Sequence, residues 1–386
     1  MQDAGMFVAP RPAVWSQAMR SMDDFWREQA EIGKIWQLVG LTTSVEREGE
    51  WFRSTLGGRS IFVQRFKDGL RGFENVCVHR GHPLRTEDKG NGPIRCGFHH
   101  WQYDQHGRAL GIPKCNEMFG ASPRELNARL RTLDVANCGI LIFARFPNER
   151  FHEPLETYLG PGFDILRSLW SEGRSPYIWS TELKANWRLG HHISLDDYHI
   201  VAVHPSTFGK NGYLPQEVVK YYRFGRHSAY FYNADEKALQ KMVEDCRNGT
   251  FQPDGYRIMQ FFPNLVASVS PIGSACLAGI MQYVPVAHDR TRLFMIIQDY
   301  PRPAADQSRS RALVRRLKLP IILRSAQLMT RKIFKEDNAV CEHMQAIVHQ
   351  LDRPPILGRQ EERIGWFEEN YADVVGDLRP SSVAAD

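Results

Sequence analysis

The sequence predicts an α+β protein built from two domains. A small antiparallel β domain comes first, and a larger domain with helices laid against an antiparallel sheet follows. Three observations predict this. The chain has 386 residues, long for a single hydrophobic core. Up to about residue 150 it is a run of short β-rich stretches broken by tight turns. Beyond "PNERFHEPL" the texture changes to longer strand-like runs mixed with helical periodicity.

The elements follow in order. Residues 10–34 form a weakly amphipathic helix, and "IWQLVGL" reads as a strand. "WFRSTL" and "SIFVQRF" flank a turn at "GGR", and Asp68-Gly69 turns the chain into "LRGFENV". "CGILIFARF" is the last strand of the first domain. In the second domain "FDILRSLW" is helical. "EVVKYYRFGRHSAYFYN", "IMQFFPNLVASVSP" and "LAGIMQYVPVAHDRTRLFMIIQDY" are strands of an antiparallel sheet. Residues 309–350 carry helical periodicity that Pro320 should interrupt, and "QEERIGWFEENYADVVG" is the final helix. The expected divisions are a helical segment at 1–36, the β domain at 37–155, the larger domain at 156–378 and a disordered tail at 379–386.

Composition narrows the function. The chain is 42% hydrophobic and 24% charged, and its net charge of +5 is not gathered into a basic run, so no nucleic-acid footprint is present. Seven cysteines are an odd number without the spacing of a disulfide scaffold. The first residues lack the pattern of a secretory signal, and the longest apolar runs are strand-sized rather than membrane-spanning. A soluble, cytoplasmic protein is expected.

Two constellations carry the chemistry. The first is "CVHRGHPLRTEDKGNGPIRCGFHH". Cys77 and His79 lie two apart, Cys96 and His99 three apart, so each loop offers one thiolate and one imidazole. A structural zinc site is one reading. A [2Fe–2S] cluster is the other, with both cysteines on one iron and both histidines on the second. The order Cys/His then Cys/His on β loops, with Gly81 and Gly97 leaving backbone N–H groups near sulfur, favours the cluster. The second constellation is "KANWRLGHHISLDDYHIVAVHP", which holds His191, His192, Asp196, Asp197, His199 and His204. On a regular helix His199 and His204 would diverge by about 140°. They converge only if the helix ends between them, as Pro205 encourages by moving His204 out of the α region. Two imidazoles with a distant carboxylate make the facial triad of a non-haem Fe(II) oxygenase.

"CVHRGHPL" and "CGFHHWQYDQHGRA" resemble the Rieske signature Cys-x-His-Arg-Gly and Cys-x-x-His-Gly-Trp-x-Tyr-Asp-x-x-Gly. The match extends to Arg80, Gly81, Trp101, Tyr103, Asp104 and Gly107, with His100 where the family commonly has glycine. The second stretch resembles the matching region of Rieske non-haem iron oxygenase α subunits at Asn186, Trp187, Asp196, Tyr198, His199 and His204. The family's Glu-Asn pair is replaced by His192-Ile193, and His192 is expected to take over its hydrogen bonding. The resemblance covers nearly the whole chain. It implies a Rieske cluster on Cys77, His79, Cys96 and His99, and a mononuclear Fe(II) on His199, His204 and a carboxylate in "IFKEDNAVCEHMQ". Asp337 is the expected third ligand and Glu336 the alternative. Asp196 would bridge the two centres as the catalytic relay. The chain contains neither a Gly-rich dinucleotide fingerprint nor a plant-type ferredoxin pattern, so NAD(P)H would act only through a separate reductase or ferredoxin. The resemblance further implies a head-to-tail homotrimer, with a β subunit possible, that uses O2 to hydroxylate an aromatic compound. "LGRQEERIGWFEENY" resembles the end of aromatic-ring-hydroxylating α subunits. Oxidative N- or O-demethylation or attack on a quaternary amine is the alternative on the same iron, with the rings of "YYRFGRHSAYFY" as a cation cage. A Rieske electron carrier without oxygenase activity is the alternative of another class.

Overall fold

The computed structural model describes residues 7–8, 17–171, 176–206, 218–253, 255–272, 275–300, 309–351 and 355–376. The expected tail at 379–386 and residues 10–16 of the expected first helix lie outside them. The chain divides into two compact units, one made of Gln29–Tyr158 and one of Met1–Glu28 with Leu159–Asp386.

In the first unit, strands β1 (Gln37–Leu41), β2 (Glu50–Leu56), β3 (Arg59–Phe66), β4 (Gly69–Glu74), β5 (Lys89–Asn91), β9 (Thr132–Cys138) and β10 (Leu141–Arg145) form one antiparallel sheet in the order β1-β10-β9-β4-β3-β2-β5. Strands β6 (Ile94–Arg95), β7 (Gln102–Tyr103) and β8 (Ala109–Gly111) form a second, three-stranded sheet. Alternation along β3 explains why both faces are covered, since successive side chains point to opposite sides. Ile61 and Val63 join a core with Val39, Phe52 and Ile142. Phe62 points the other way, into a core with Phe73, Trp101, Leu130, Cys77 and Cys96. The cysteine loops are therefore seated on a packed face. Helix α1 (Met22–Ile32) precedes β1, and two short helices, α2 (Cys115–Phe119) and α3 (Pro123–Leu126), follow β8; these two were not legible in the sequence. Ser122 and Glu125 build a capping box at the start of α3.

The second unit is a seven-stranded antiparallel sheet with helices. Its strands are β11 (Tyr177–Leu183), β12 (Val219–Phe224), β13 (His227–Tyr232), β14 (Arg257–Phe261), β15 (Leu265–Ile272), β16 (Ala275–Ala287) and β17 (Arg290–Asp299). The order is β11-β17-β16-β15-β14-β13-β12, so apart from the β11-to-β12 excursion each strand pairs with its neighbour in sequence. Helices α4 (Leu155–Leu159) and α5 (Pro161–Leu169) precede β11; those that matter for the site are α6 (Trp187–Ile193), α7 (Ile200–Val203), α9 (Arg309–Ala346) and α10 (Glu362–Val375), with α8 (Ala238–Asn248) between β13 and β14. The fold is the expected α+β arrangement of an N-terminal β domain and a C-terminal antiparallel sheet with helices.

One expectation fails. Helix α9 continues through Pro320 for 38 residues instead of being interrupted there. Pro320 is exposed, so water can take the carbonyl that its missing N–H leaves unbonded. Among the described residues no helix is long and apolar enough to cross a membrane. All seven cysteines are buried, and among the described residues no disulfide is formed.

Candidate active site with two metal centres

The two Cys/His loops are tight turns closed by their own backbone. Cys77 N–H donates to His82 O at 2.9 Å and Gly81 N–H to Cys77 O at 2.9 Å. Gly81 has φ +74°, which a glycine adopts without strain. In the second loop Cys96 N–H donates to Trp101 O at 2.9 Å and His100 N–H to Cys96 O at 3.0 Å, with His100 itself at φ +59°. That left-handed position explains why glycine is common there, and His100 stands exposed outside the ligand set. The loops bring the His79 and His99 rings to 4.6 Å between centroids. Trp101 stacks on His79 at 4.8 Å with the rings parallel within 1°, and Phe119 packs edge-on against both. Cys77 Sγ lies 3.0 Å from the Tyr103 hydroxyl. Burial pushes the Cys77 thiol up, against the bond from Tyr103, and the nearby Cys96 adds to the rise. Burial and the neighbouring His79, Arg80 and His82 hold His99 below the ordinary histidine value, in the neutral form a metal needs.

The donor set fits a two-iron cluster. Nδ1 of His79 and Nδ1 of His99 are both buried with no hydrogen-bond partner, beside two buried free thiols. A single tetrahedral zinc would draw its four ligand atoms into one tight group. Among the described residues the only group of three or more candidate ligands whose atoms all lie within 4.8 Å of one another is His199, His204 and Asp337. The Cys/His set is spread wider, as two bridged irons require.

The second centre begins at α6. Asn186 caps this helix, its side chain accepting from Arg188 N–H at 3.0 Å while its Nδ2 donates to His288 O at 2.9 Å. Trp187 is buried and donates to Glu28 at 2.9 Å. The helix ends at Ile193, and the chain bends through Leu195–Tyr198 into the single turn of α7. His199 is the N-cap of that turn and His204 its C-cap, at φ −114° and ψ 49°. His204 has left the α region as Pro205 demands, and the two rings meet at 5.3 Å between centroids.

Asp337 arrives from α9, more than 130 residues later in the chain. Its Oδ1 lies 3.0 Å from His204 Nε2 and 3.7 Å from His199 Nε2. Glu336 stands instead behind His204, its Oε2 2.8 Å from Nδ1. This geometry separates the two acids, with Asp337 facing the point shared by both Nε2 atoms and Glu336 orienting the far side of one ring. Burial pulls the His204 pKa down, but Asp337 and Glu336 raise it further, so the net shift is upward. Asp337 Oδ1 is buried without a hydrogen-bond partner and faces the Nε2 atoms of His204 and His199, a donor set that suits a cation.

Asp196 lies beside this group. Its Oδ1 accepts from Tyr198 N–H at 2.7 Å and His199 N–H at 3.2 Å. Its Oδ2 is 3.3 Å from His199 Nδ1, but off the hydrogen-bond direction, since that nitrogen is left without a bonded partner. His192 Nε2 lies 2.9 Å from Glu368 Oε1. Glu368 also binds Arg188, at 2.5 Å. Sequence reasoning missed this buried ion group, because its members are about 180 residues apart.

Comparison with known proteins agrees with this division. Residues 35–133 match the model of the Rieske [2Fe-2S] domain, and residues 171–377 match the ring hydroxylating alpha subunit catalytic domain. The large oxygenase component of a salicylate 5-hydroxylase from Ralstonia sp is 31% identical over 52% of this chain and 54% of its own length. The benzene 1,2-dioxygenase α subunit of Pseudomonas putida is 27% identical over 57% and 53%. The chain thus spans about half the length of the curated relatives it matches. Among solved structures, naphthalene 1,2-dioxygenase from Rhodococcus sp. bound to indole superposes with a TM-score of 0.69 at 18% identity, over 94% of each chain. A quaternary ammonium Rieske monooxygenase in complex with L-carnitine superposes with a TM-score of 0.69 at 16% identity, over 96% of this chain and 97% of its own.

Proposed function

We infer that this chain, which belongs to the ring-hydroxylating α-subunit family and carries its Rieske [2Fe-2S] domain, is a terminal oxygenase that hydroxylates an aromatic small molecule. Its electrons come from NAD(P)H through a separate reductase or ferredoxin. The observation that carries the reading is the convergence of His199, His204 and Asp337, which a mere electron carrier has no use for.

Cys77, His79, Cys96 and His99 hold the cluster, and His199, His204 and Asp337 hold the iron. The cluster supplies single electrons and the mononuclear iron supplies the activation of O2. The protein's own residues do the rest. Tyr103 steadies the Cys77 sulfur, and Trp101 and Phe119 shield the His79 ring from water. Glu336 fixes the His204 ring so that Nε2 faces Asp337. Asp196 is the relay between centres, fixed by the backbone N–H groups of Tyr198 and His199. A head-to-tail homotrimer would bring one protomer's cluster to its partner's Asp196. Inter-subunit electron transfer is described for a quaternary ammonium Rieske monooxygenase of known structure. Seven buried cysteines without a disulfide among the described residues suit the cytoplasm.

Two of the rings expected to cage a quaternary amine already face a cation of the protein itself. Tyr221 and Tyr230 are engaged by the Arg363 guanidinium, 5.4 and 5.5 Å from their centroids. The test is a single turnover of reduced protein under ¹⁸O2 with aromatic hydrocarbons, aromatic acids and quaternary amines, read by mass spectrometry. Label in a hydroxylated aromatic product supports the reading. Label only in products of a quaternary amine would replace it with the demethylation-type alternative.

A further inference from the structure

Asp196 and Asp197 are adjacent acids with opposite surroundings. Asp196 bonds to the backbone of its own turn and faces His199. Asp197 is 9% exposed and points inward. Its Oδ2 accepts from the Tyr221 hydroxyl at 2.8 Å, and both its oxygens lie within 3.5 Å of Arg363 Nη2. Its backbone N–H donates to Gln360 O at 3.2 Å, and the Tyr221 hydroxyl also reaches that carbonyl at 3.4 Å. Arg363 is 1% exposed and lies between the rings of Tyr221 and Tyr230.

We propose that Asp197 is a positioning residue, clamped by Tyr221 of β12 and Arg363 of α10, that sets where Asp196 and His199 stand. The segment Leu195–Tyr198 has no helical ladder of its own, so anchors to other elements must fix its course. The Asp197 side chain ties it to a sheet strand and to a helix, one residue after the proposed relay and two before the proposed iron ligand. Asp337 comes from a different helix, so a drift of this segment would open the triad on one side only. The inference rests on the reading of His199, His204 and Asp337 as an iron site.

The test compares Tyr221→Phe and the near-isosteric Asp197→Asn with the full-length wild-type protein, both loaded with Fe(II). Three quantities are read: mononuclear iron retained after chelator challenge, the EPR line shape of that iron with nitric oxide, and the melting temperature. Loosening the support behind a metal ligand weakens metal binding by about 10–100-fold. Both variants should lose iron to that extent and show an altered Fe(II)–NO line shape, with the reduced-cluster signal unchanged. Lower melting temperatures with wild-type iron retention and line shape would make the network purely structural and overturn the proposal. If wild-type protein itself holds no mononuclear iron, the iron reading fails instead.

Discussion

Replacing Glu368 with Gln should destabilise the catalytic unit more than almost any other single isosteric change in it. Arg188 is fully buried and Glu368 is 5% exposed. The Arg188 Nη2–Glu368 Oε2 distance is 2.5 Å, and His192 Nε2 stands 2.9 Å from the other carboxylate oxygen. Arg188 also sits over the Tyr371 ring at 3.8 Å. Glu368 is held below the ordinary carboxylate range because Arg188 and His192 outweigh its burial. Gln keeps the shape and removes the charge, leaving a buried guanidinium without its carboxylate partner. Breaking one partner of such a pair costs about 3–5 kcal/mol. Glu28 also acts on Arg188, so the lower end applies, about 3 kcal/mol. At about 2–4 °C per kcal/mol for a unit of this size, the melting temperature should fall by about 6–12 °C. Differential scanning calorimetry measures it. Arg188→Met combined with Glu368→Leu should recover much of the loss, because apolar replacement of a whole buried pair is often neutral. A drop under about 2 °C for Glu368→Gln would mean the pair is not desolvated as described.

Other outcomes follow from the same structure. Asp196→Asn should keep the cluster's visible spectrum yet slow reoxidation of the reduced cluster in the presence of substrate and O2; wild-type rates in stopped flow would remove Asp196 from the path. His199→Ala should lose mononuclear iron and retain the cluster, so iron counted against acid-labile sulfide should fall from a ratio of about 3:2 to about 2:2, and an unchanged ratio would reject His199 as a ligand. The His191 ring is held well below the ordinary histidine value by burial, with His192 and Arg363 adding to the effect. Unfolded, it titrates near about pH 6.5, so below that pH the unfolded state takes up a proton that the folded state refuses. Stability should therefore fall by up to about 1.4 kcal/mol per pH unit for this group as pH drops below about 6.5. His191→Phe should reduce the drop in melting temperature between about pH 7.5 and 5.5, and an unchanged drop would show that His191 is protonated in the fold.

The sequence made some of this legible and not the rest, for physical reasons. Cys77, His79, Cys96 and His99 stand out because each pair is local, and the turns that join them are closed by bonds within four or five residues. His199 and His204 could be read from Pro205, which ends the helical turn between them. Asp337 could not be reached by spacing, since its contact to His204 spans 133 positions and only family resemblance pointed to it. His192 was expected to take over the hydrogen bonding of the family's Glu-Asn pair, and the partner it meets, Glu368 beside Arg188, is 176 positions away, a pairing decided by how α6 packs on α10. Tyr221 and Arg363 are 24 and 166 positions from Asp197, and Asp197 occupies the open position of the Asp-x-Tyr-His motif. Pro320 misled because proline's cost in a helix depends on whether the freed carbonyl meets water.

The central claim is that one chain holds both a cluster and an oxygen-activating iron. EPR of anaerobically reduced, iron-replete protein treated with nitric oxide tests it most directly. Two separate signals should appear, one from the reduced cluster and one from the Fe(II)–NO centre, and an aromatic substrate should perturb the second. A cluster signal alone would contradict the account and leave an electron carrier in its place.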